Sequence, residues 1–439
     1  MTKDRIELSI VIATRNDSDL IGELLDRVSE TATKLGCVFE IIVVDAHSTD
    51  RTSYIAEQRG AKVLHLPQRP PYGEIVRKGI EQAQGSFIVT LDADLLPDYC
   101  IISQFWQRRD RSELLIGSRY IAGGSARMPV ARKVLSRALN RFYGVFLSLP
   151  FKDISSGFRM HNTKIFEDVR LDSSDYSILI ELILKAYANG WVVEEAPFRF
   201  EPEKFGNSTK RAFSFLLTYL KSLFRMWQLR NSVFSADYDE RAYDSIIPLQ
   251  RYWQRARYRI IMSFIEGGNT ILDIGCGSSR IIQQFPGAVG LDISLKKLRY
   301  LRGRGIRLSR ADINRLPFKH DSFSLVICSQ VIEHVPPAPE IYTEINRVMQ
   351  SGGTLVIGTP DYGRLRWRVI EFFYKKLLPG AYAEQHITHY TRESLGKILQ
   401  QNGFEILKQR YVGGSELIIK AKKVTNVASV PSALGSRDS

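Results

Sequence analysis

The chain has 439 residues, of which 44% are apolar and 25% charged, and its formal net charge is +14 at pH 7. This length suits two domains, and the composition excludes wholesale disorder and a fibrous repeat. The basic excess predicts an anionic partner such as nucleic acid, acidic lipid headgroups or a phosphorylated substrate. Four scattered cysteines and the absence of an apparent signal peptide predict a cytoplasmic protein without disulfides.

Short apolar runs alternate with helical patterns from Leu8 to Ser118. LSIVIAT, FEIIVVD and FIVTLDAD have the composition of strands, and helices are expected from about Asp17, Asp50 and Asp98. Alternation of this kind predicts an α/β domain built on a largely parallel sheet.

Acidic residues stand where two of these strands end. Asp92 and Asp94 leave their strand at positions i and i+2, so both carboxylates are expected to face one hard cation. Mg²⁺ or Mn²⁺ held in this way bridges a diphosphate and stabilises it as a leaving group. Asp45 ends an earlier strand, where it would accept hydrogen bonds from a nucleotide base, and Ser48 or Asp50 would cap the next helix. Taken alone, an Asp-x-Asp pair is more often a solvated strand-to-loop corner, and Asp50 is more often just a helix cap.

A run of basic residues follows, without an acidic one between Leu114 and Lys152. Arg side chains suit phosphate oxygens, and each basic residue near an anionic bilayer contributes about 1 kcal/mol of attraction. The apolar residues between them share one helical face, which predicts an amphipathic interfacial helix near 127–149. A helix packed on the domain's own core is the alternative. The basic residues are Arg119, Arg127, Arg132, Lys133, Arg137, Arg141 and Lys152, and the apolar ones are Val134, Leu135, Leu139, Phe142, Val145 and Phe146.

A second amphipathic helix is predicted near 211–230. Its apolar segment falls short of a membrane span because Lys221 and Arg225 interrupt it. We therefore expect the protein to lie on the inner face of a membrane as a peripheral protein.

Six motifs of this half occur together in a recognisable order: SIVIATRNDSDL, EIIVVDAHSTDRT, GSFIVTLDADLLPD, GSRYIAGGS, DISSGFRM and a segment from EKFGNSTK. Over about residues 6–230 the chain resembles the inverting GT-A glycosyltransferases, in particular the dolichyl- or polyprenyl-phosphate mannose synthases. The resemblance implies transfer of a hexose from a GDP- or UDP-sugar to a polyprenyl phosphate. It places Asp45 at the nucleotide, Asp92 and Asp94 at the metal, and Arg119 and Arg137 at the acceptor phosphate.

The acceptor decides whether a general base is needed. A polyprenyl phosphate is already anionic, whereas a hydroxyl of a growing glycan would require a base, for which Asp153 and Glu181 are the candidates. The chain also departs from the family pattern, with Leu96 where such synthases often carry Gln, Ala46-His47 after Asp45, and EKFG at 203–206. These departures leave the sugar, the base and the acceptor open.

A second series of strand patterns starts at Thr270. It reads TILDIG, AVGLDIS, GIRLSRADI, FSLVICS and GTLVIGT, with GFEILKQRYV and SELIIKAKK as a closing antiparallel pair. We place the domain boundary near Ser235, so that the domains span 1–235 and 236–422. Residues 423–439 contain Ser and Pro without periodicity and are expected to be disordered.

The first strand of this series leads into Asp273-Ile-Gly-Cys-Gly277, the glycine-rich turn that brings backbone close to a ligand and is expected to precede a helical run. Arg280 stands where a dinucleotide fold would have its third glycine, which argues against a nicotinamide cofactor. Asp292 ends the next strand, where its carboxylate would bind two ribose hydroxyls. Asp312 begins a loop suited to an adenine edge.

These elements resemble the seven-stranded Rossmann-like S-adenosylmethionine-dependent methyltransferases over about residues 240–420. The resemblance implies a site for S-adenosylmethionine, in which Gly275 and Gly277 lie under the methionine and Asp292 binds the ribose. Asp312 and Ile313 would then contact the adenine. Ser279 replaces a frequent third glycine. Candidate bases for methyl transfer are His334, His386, His389 and Tyr390.

The preferred interpretation is a bifunctional transferase in which methyl transfer to a related small molecule or glycan accompanies hexose transfer to a lipid phosphate. One alternative sends the sugar to a glycan hydroxyl and methylates that glycan. Another, an RNA-binding methyltransferase, is disfavoured because no RNA-binding motif interleaves basic and aromatic residues. We expect no nucleic-acid partner, and the sequence leaves the oligomeric state open.

Overall fold

The computed structural model describes residues 5–68, 70–93, 95–97, 100–202, 222–267, 270–377 and 386–424. The chain forms two compact units, Met1–Asn231 and Ser232–Ser439. Three predictions fall wholly or partly outside the described ranges. Residues 203–221 contain EKFG and most of the second amphipathic helix, and 425–439 contain nearly all of the tail. Asp94, one of the two predicted metal carboxylates, is also outside them.

The N-terminal unit alternates strands and helices as predicted. Its strands are β1 (Leu8–Thr14), β2 (Phe39–Asp45), β3 (Lys62–His65), β4 (Phe87–Asp92), β5 (Leu95–Pro97), β6 (Leu114–Ser118), β7 (Ser125–Ala126), β8 (Arg159–Asn162), β9 (Val193–Pro197) and β10 (Arg199–Pro202). Its helices are α1 (Ile21–Lys34), α2 (Thr52–Gln58), α3 (Tyr72–Gln82), α4 (Cys100–Arg108), α5 (Val130–Phe146), α6 (Ile165–Asp168), α7 (Ile178–Ala188) and α8 (222–231). The first, second and fourth helices begin within four residues of the predicted starts.

Seven of these strands form one sheet in the order β3-β2-β1-β4-β8-β6-β9, and only β8 runs antiparallel to its neighbours. In this register Asp45 pairs with Thr14 and Asp92 with Ala13 at the carboxyl end of β1. The two predicted strand-end carboxylates therefore flank one edge of the sheet. A small second sheet, β5-β10-β7, lies in the same unit.

The C-terminal unit contains the second predicted series. Its strands are β11 (Ile271–Ile274), β12 (Val289–Asp292), β13 (Arg307–Arg310), β14 (Phe323–Ser329), β15 (Met349–Pro360), β16 (Phe404–Val412) and β17 (Glu416–Lys423). Its helices are α9 (Tyr238–Tyr243), α10 (Pro248–Phe264), α11 (Leu295–Leu301), α12 (Pro339–Val348), α13 (Leu365–Leu377) and α14 (Arg392–Gln401).

The strands form a seven-stranded sheet in the order β13-β12-β11-β14-β15-β17-β16, and the closing pair β16 and β17 is antiparallel as predicted. The prediction of a helical run after the glycine-rich turn is wrong, because the turn is followed by a short 3-10 segment, Ile282–Gln284. Pro286 and Gly287 stop a longer helix there. Lys423, the first residue of the segment expected to be disordered, belongs to β17, and the part of that segment from 425 on lies outside the described residues.

No described helix combines the length and hydrophobicity that a bilayer crossing requires.

Candidate functional site

The carboxylate of Asp45 is held at the end of β2 by its own loop. It is buried, and it accepts hydrogen bonds from the Ser48 backbone N–H (3.1 Å) and the Ser53 hydroxyl (2.7 Å). Asp50 accepts from the backbone N–H of Thr52, the first residue of α2, at 3.0 Å, but the N-cap position is held by Arg51, which makes no side-chain cap bond. If Asp45 contacts a nucleotide as predicted, its carboxylate would accept hydrogen bonds from the base in place of those from Ser48 and Ser53.

Asp92 is the last residue of β4 and lies next to Gly157. Its Oδ1 accepts a hydrogen bond from the Tyr72 hydroxyl at 2.9 Å, and Tyr72 stacks on Tyr176 with ring centroids 4.3 Å apart. Burial, followed by the Asp92 charge, raises the pKa of Tyr72 well above its ordinary value, so the phenol remains a donor. A Cβ on Gly157 would lie 2.8 Å from that hydroxyl and 3.2 Å from Asp92 Oδ2. A glycine at this position therefore leaves the Asp92 carboxylate and the Tyr72 hydroxyl uncrowded.

Arg119 and Arg137, which sequence separates by eighteen positions, meet at one aromatic ring. Their guanidinium carbons lie 5.2 and 5.4 Å from the ring centroid of Tyr120. Arg119 is also paired bidentately with the buried Asp153, through Nε to Oδ2 and Nη2 to Oδ1, both at 2.7 Å. This pair fixes the direction of Arg119 and neutralises part of its charge. Arg137 is exposed on α5.

Helix α5 contacts its own unit through a narrow strip and turns an apolar strip outward. Asn140, Tyr143 and Gly144 are its buried residues. Leu139 and Phe146 are half-buried rather than on the outward strip with the other predicted apolar residues. The exposed apolar residues are Val130, Val134, Leu135, Phe142 and Val145.

Helix α8, the described part of the second predicted amphipathic helix, is attached to the core of the N-terminal unit. Met226 is fully buried. Arg230 is also buried and donates to the backbone oxygens of Leu147 (2.9 Å) and Ser148 (3.0 Å). This arginine is therefore a structural residue rather than a surface cation.

In the C-terminal unit, the glycine-rich turn is built as its sequence requires. Gly275 and Gly277 have φ of +66° and +53°, values that disfavour other residues. The Gly277 backbone N–H donates to Asp292 Oδ2 at 2.9 Å, and the Ser294 N–H donates to Oδ1 at 2.8 Å. Asp292 thus joins the ends of β11 and β12.

A cavity of about 430 Å³ opens beside this turn. Of the predicted residues, Asp273, Gly275, Asp292, Asp312 and Ile313 all line it. The fold therefore brings together groups that the sequence spreads over forty positions.

Sequence reasoning missed the wall that α9 and α10 contribute to the cavity. Asp239 of α9 faces the turn and pairs with Lys297 at 3.1 Å, and Trp253 and Arg257 of α10 add an aromatic ring and a cation. Burial, together with the charges of Asp292 and Asp239, raises the pKa of Asp273 to about 8. Asp239, Asp273 and Asp292 are therefore close enough for their charges to repel one another. The only sequence signal was the amphipathic pattern of the segment that begins the predicted domain 236–422.

Residues 9–170 match the family model described as glycosyl transferase family 2, and residues 272–357 match that described as methyltransferase domain. The N-terminal unit is a family 2 glycosyltransferase domain, and the C-terminal unit is a methyltransferase domain. Both domains belong to transferase families, as the sequence predicted.

The curated relatives match the glycosyltransferase domain. Dolichol-phosphate mannosyltransferase of Pyrococcus furiosus is 28% identical over 236 residues, which cover 52% of this chain and 66% of the relative, just under two thirds of its length. Polyprenol monophosphomannose synthase of Mycolicibacterium smegmatis is 28% identical over 213 residues, covering 45% of this chain and 79% of the relative.

Among solved structures, a methyltransferase of Thermotoga maritima described as a possible histamine N-methyltransferase is 19% identical to this chain. It has a TM-score of 0.33, and the match covers 42% of this chain and 98% of that one.

The four candidate bases of the methyltransferase domain separate into two groups. His334 and His386 line the cavity, with ring centroids 5.0 Å apart. His389 stacks on Tyr362 at 4.0 Å, and Tyr390 is buried. Only the first two are placed where an acceptor in the cavity would meet them.

Proposed function

We propose that the glycosyltransferase domain transfers a hexose from a nucleotide sugar to a polyprenyl phosphate, with the help of a divalent cation. The observation that carries the proposal is the convergence of Asp45 and Asp92 at the carboxyl end of β1. The names of both curated relatives fit this acceptor class. A cation at Asp92 and Asp94 would offset the charge that develops on the departing nucleoside diphosphate.

A phosphate acceptor fits the domain better than a hydroxyl, because neither candidate base is placed to act. Asp153 is fully buried in its pair with Arg119. Glu181 is fully buried as well and accepts from the backbone N–H groups of Asp172 (3.1 Å) and Ser173 (2.8 Å). Arg137, oriented over Tyr120, would bind the phosphate that attacks, with Arg119 completing the clamp.

The test is an acceptor panel. Purified full-length protein is incubated with Mg²⁺ or Mn²⁺, GDP- and UDP-hexoses, and either a polyprenyl phosphate or the matching polyprenol, and nucleotide release and lipid-linked sugar are measured. We expect turnover with the phosphate and none with the alcohol. Turnover on a glycan hydroxyl with none on any lipid phosphate would establish the alternative acceptor.

We also infer that α5 holds the domain on an anionic bilayer as a peripheral protein. Its exposed apolar strip is flanked by Arg137 and Arg141, both exposed, so that the apolar side chains enter the interface while the cations meet lipid phosphates. All four cysteines are free, which fits the reducing, cytoplasmic side of a membrane.

A double substitution on α5 is expected to weaken membrane binding without unfolding the protein. Val134 and Phe142 are 62% and 46% exposed, so Val134→Glu with Phe142→Glu removes insertion but little packing. Burial of such side chains contributes about 1.5–3 kcal/mol each, so we expect at least a tenfold loss of binding to phosphatidylserine vesicles in co-sedimentation. The matched control is Tyr54→Glu, at an exposed position of α2. Equal binding by wild type and double variant would assign the membrane contact elsewhere.

For the methyltransferase domain we propose transfer of a methyl group from S-adenosylmethionine to a small molecule or glycan related to the product of the first domain. The donor carries a sulfonium and an ammonium group. Burial and the charges of Asp292 and Asp239 raise the pKa of Asp273, although Lys297 and Arg257 offset part of the repulsion at Asp239, so a cationic ligand would relieve the remainder. The acceptor oxygen or nitrogen attacks the methyl carbon in line with sulfur, which requires alignment above all.

A further inference from the structure

We propose that Glu333, His334 and His386 of the methyltransferase domain hold a divalent transition-metal ion at the wall of the cavity. One ligand atom from each residue can be chosen such that all three lie within 4.8 Å of one another. His334 and His386 line the cavity, whereas Glu333 is fully buried. Such an ion would therefore lie where a methyl acceptor enters.

Glu333 provides the second, independent observation. Its side chain is fully buried, and neither carboxylate oxygen has a hydrogen-bond partner among the described residues. The buried Thr359 hydroxyl lies close to this carboxylate, but no hydrogen bond of acceptable geometry joins the two groups. A buried acceptor without a partner costs roughly 1–3 kcal/mol, and more when it is charged. A bound cation removes this cost, because it coordinates the oxygens and balances the charge.

The surroundings of His386 orient its ring for coordination. The Tyr362 hydroxyl lies 2.8 Å from His386 Nδ1 and 2.8 Å from Glu371 Oε1. Because the hydroxyl has one proton and gives it to Glu371, it accepts from Nδ1–H, which leaves the lone pair of the ring on Nε2. Metal-binding histidines are commonly fixed in this way, with a carboxylate relay behind the far nitrogen.

The donor set selects the class of ion. Two imidazoles and one carboxylate suit Zn²⁺, Fe²⁺, Co²⁺ or Mn²⁺, whereas Mg²⁺ and Ca²⁺ prefer oxygen ligands throughout. Three protein ligands also leave coordination positions open towards the cavity, as in catalytic rather than structural sites.

The role of the ion rests on the proposed methyl transfer, although the site itself does not. A hydroxyl oxygen of the acceptor near the ion would have a lower pKa and release its proton to water. Its lone pair then forms the bond to the methyl carbon, the carbon–sulfur bond breaks, and the electron pair remains on sulfur as a neutral thioether. We therefore assign hydroxyl compounds as the acceptor class.

Metal binding is tested with Co²⁺ alone, whose visible absorption reports imidazole and carboxylate ligands. The protein is the full chain with Asp92→Asn, which weakens the other proposed metal site, after chelator treatment. We expect one equivalent of Co²⁺ and a rise in melting temperature. His334→Ala, His386→Ala and the isosteric Glu333→Gln should each lower the affinity at least a hundredfold. The matched control, His389→Ala, removes a neighbouring imidazole outside the cluster and should bind Co²⁺ as before.

S-adenosylmethionine binding, measured on the same samples by calorimetry, separates the two proposals. Retained donor binding in the three ligand variants shows that they are folded. A chain that binds the donor but no Co²⁺, or that loses Co²⁺ equally with His389→Ala, overturns the metal site alone. A chain that binds Co²⁺ through the three residues but no donor keeps the metal site and overturns the proposed methyl donor.

Discussion

Asp92→Asn is expected to abolish sugar transfer while leaving the methyltransferase domain unaffected. The amide keeps the shape of the carboxylate but lacks the charge that a cation and a departing diphosphate require. Loss of a preorganised electrostatic group of this kind lowers kcat by roughly 10²- to 10³-fold. The measurement is nucleotide release with the preferred sugar nucleotide and polyprenyl phosphate. Binding of S-adenosylmethionine by the same sample should match that of wild type.

Two further variants sharpen this result. Asp110→Asn changes a carboxylate that is 80% exposed in the same domain, and it should retain full transfer. Gly157→Ala adds a methyl group 3.2 Å from Asp92 Oδ2 and 2.8 Å from the Tyr72 hydroxyl, so one of them must move and transfer should fall without any change of charge. Full glycosyl transfer by Asp92→Asn would refute the metal assignment.

Asp292→Ala is expected to lower the affinity for S-adenosylmethionine by roughly 10- to 100-fold. Hydrogen bonds to a charged group contribute about 1.5–3 kcal/mol, and the carboxylate would bind the ribose hydroxyls. The variant also removes the acceptor of the Gly277 N–H, so the turn under the methionine loses its support. Isothermal calorimetry on the full-length protein gives the affinity.

The control is Asp321→Ala, which removes a carboxylate that is 62% exposed and pairs with Lys423. It should bind the donor as wild type does. Asp292→Asn tests the shape of the side chain separately, since it retains an acceptor oxygen but not the charge. An unchanged affinity in both Asp292 variants would place the ribose elsewhere in the cavity.

The sequence determined the two folds and the ends of their strands. Alternating apolar runs identified the α/β units, because a strand buried on both faces must be apolar along its length. The same pattern located the polar residues that end these strands, such as Asp45, Asp92 and Asp292, because each stands where an apolar run stops. The carboxyl ends of parallel strands share one edge of their own sheet, so Asp45 and Asp92 lie together in the first sheet, and Asp292 lies at the corresponding edge of the second.

What the tertiary structure decided is which distant side chains meet. Asp153, which the sequence offered as a candidate base, pairs with Arg119 and orients its side chain. Helices α9 and α10, for which the sequence predicted no role in the site, form a wall of the methyltransferase cavity. Glu333 and His386 lie together although the chain separates them by more than fifty positions. Periodicity records whether a residue faces the core, but not which residue it faces there, because that depends on how the elements pack.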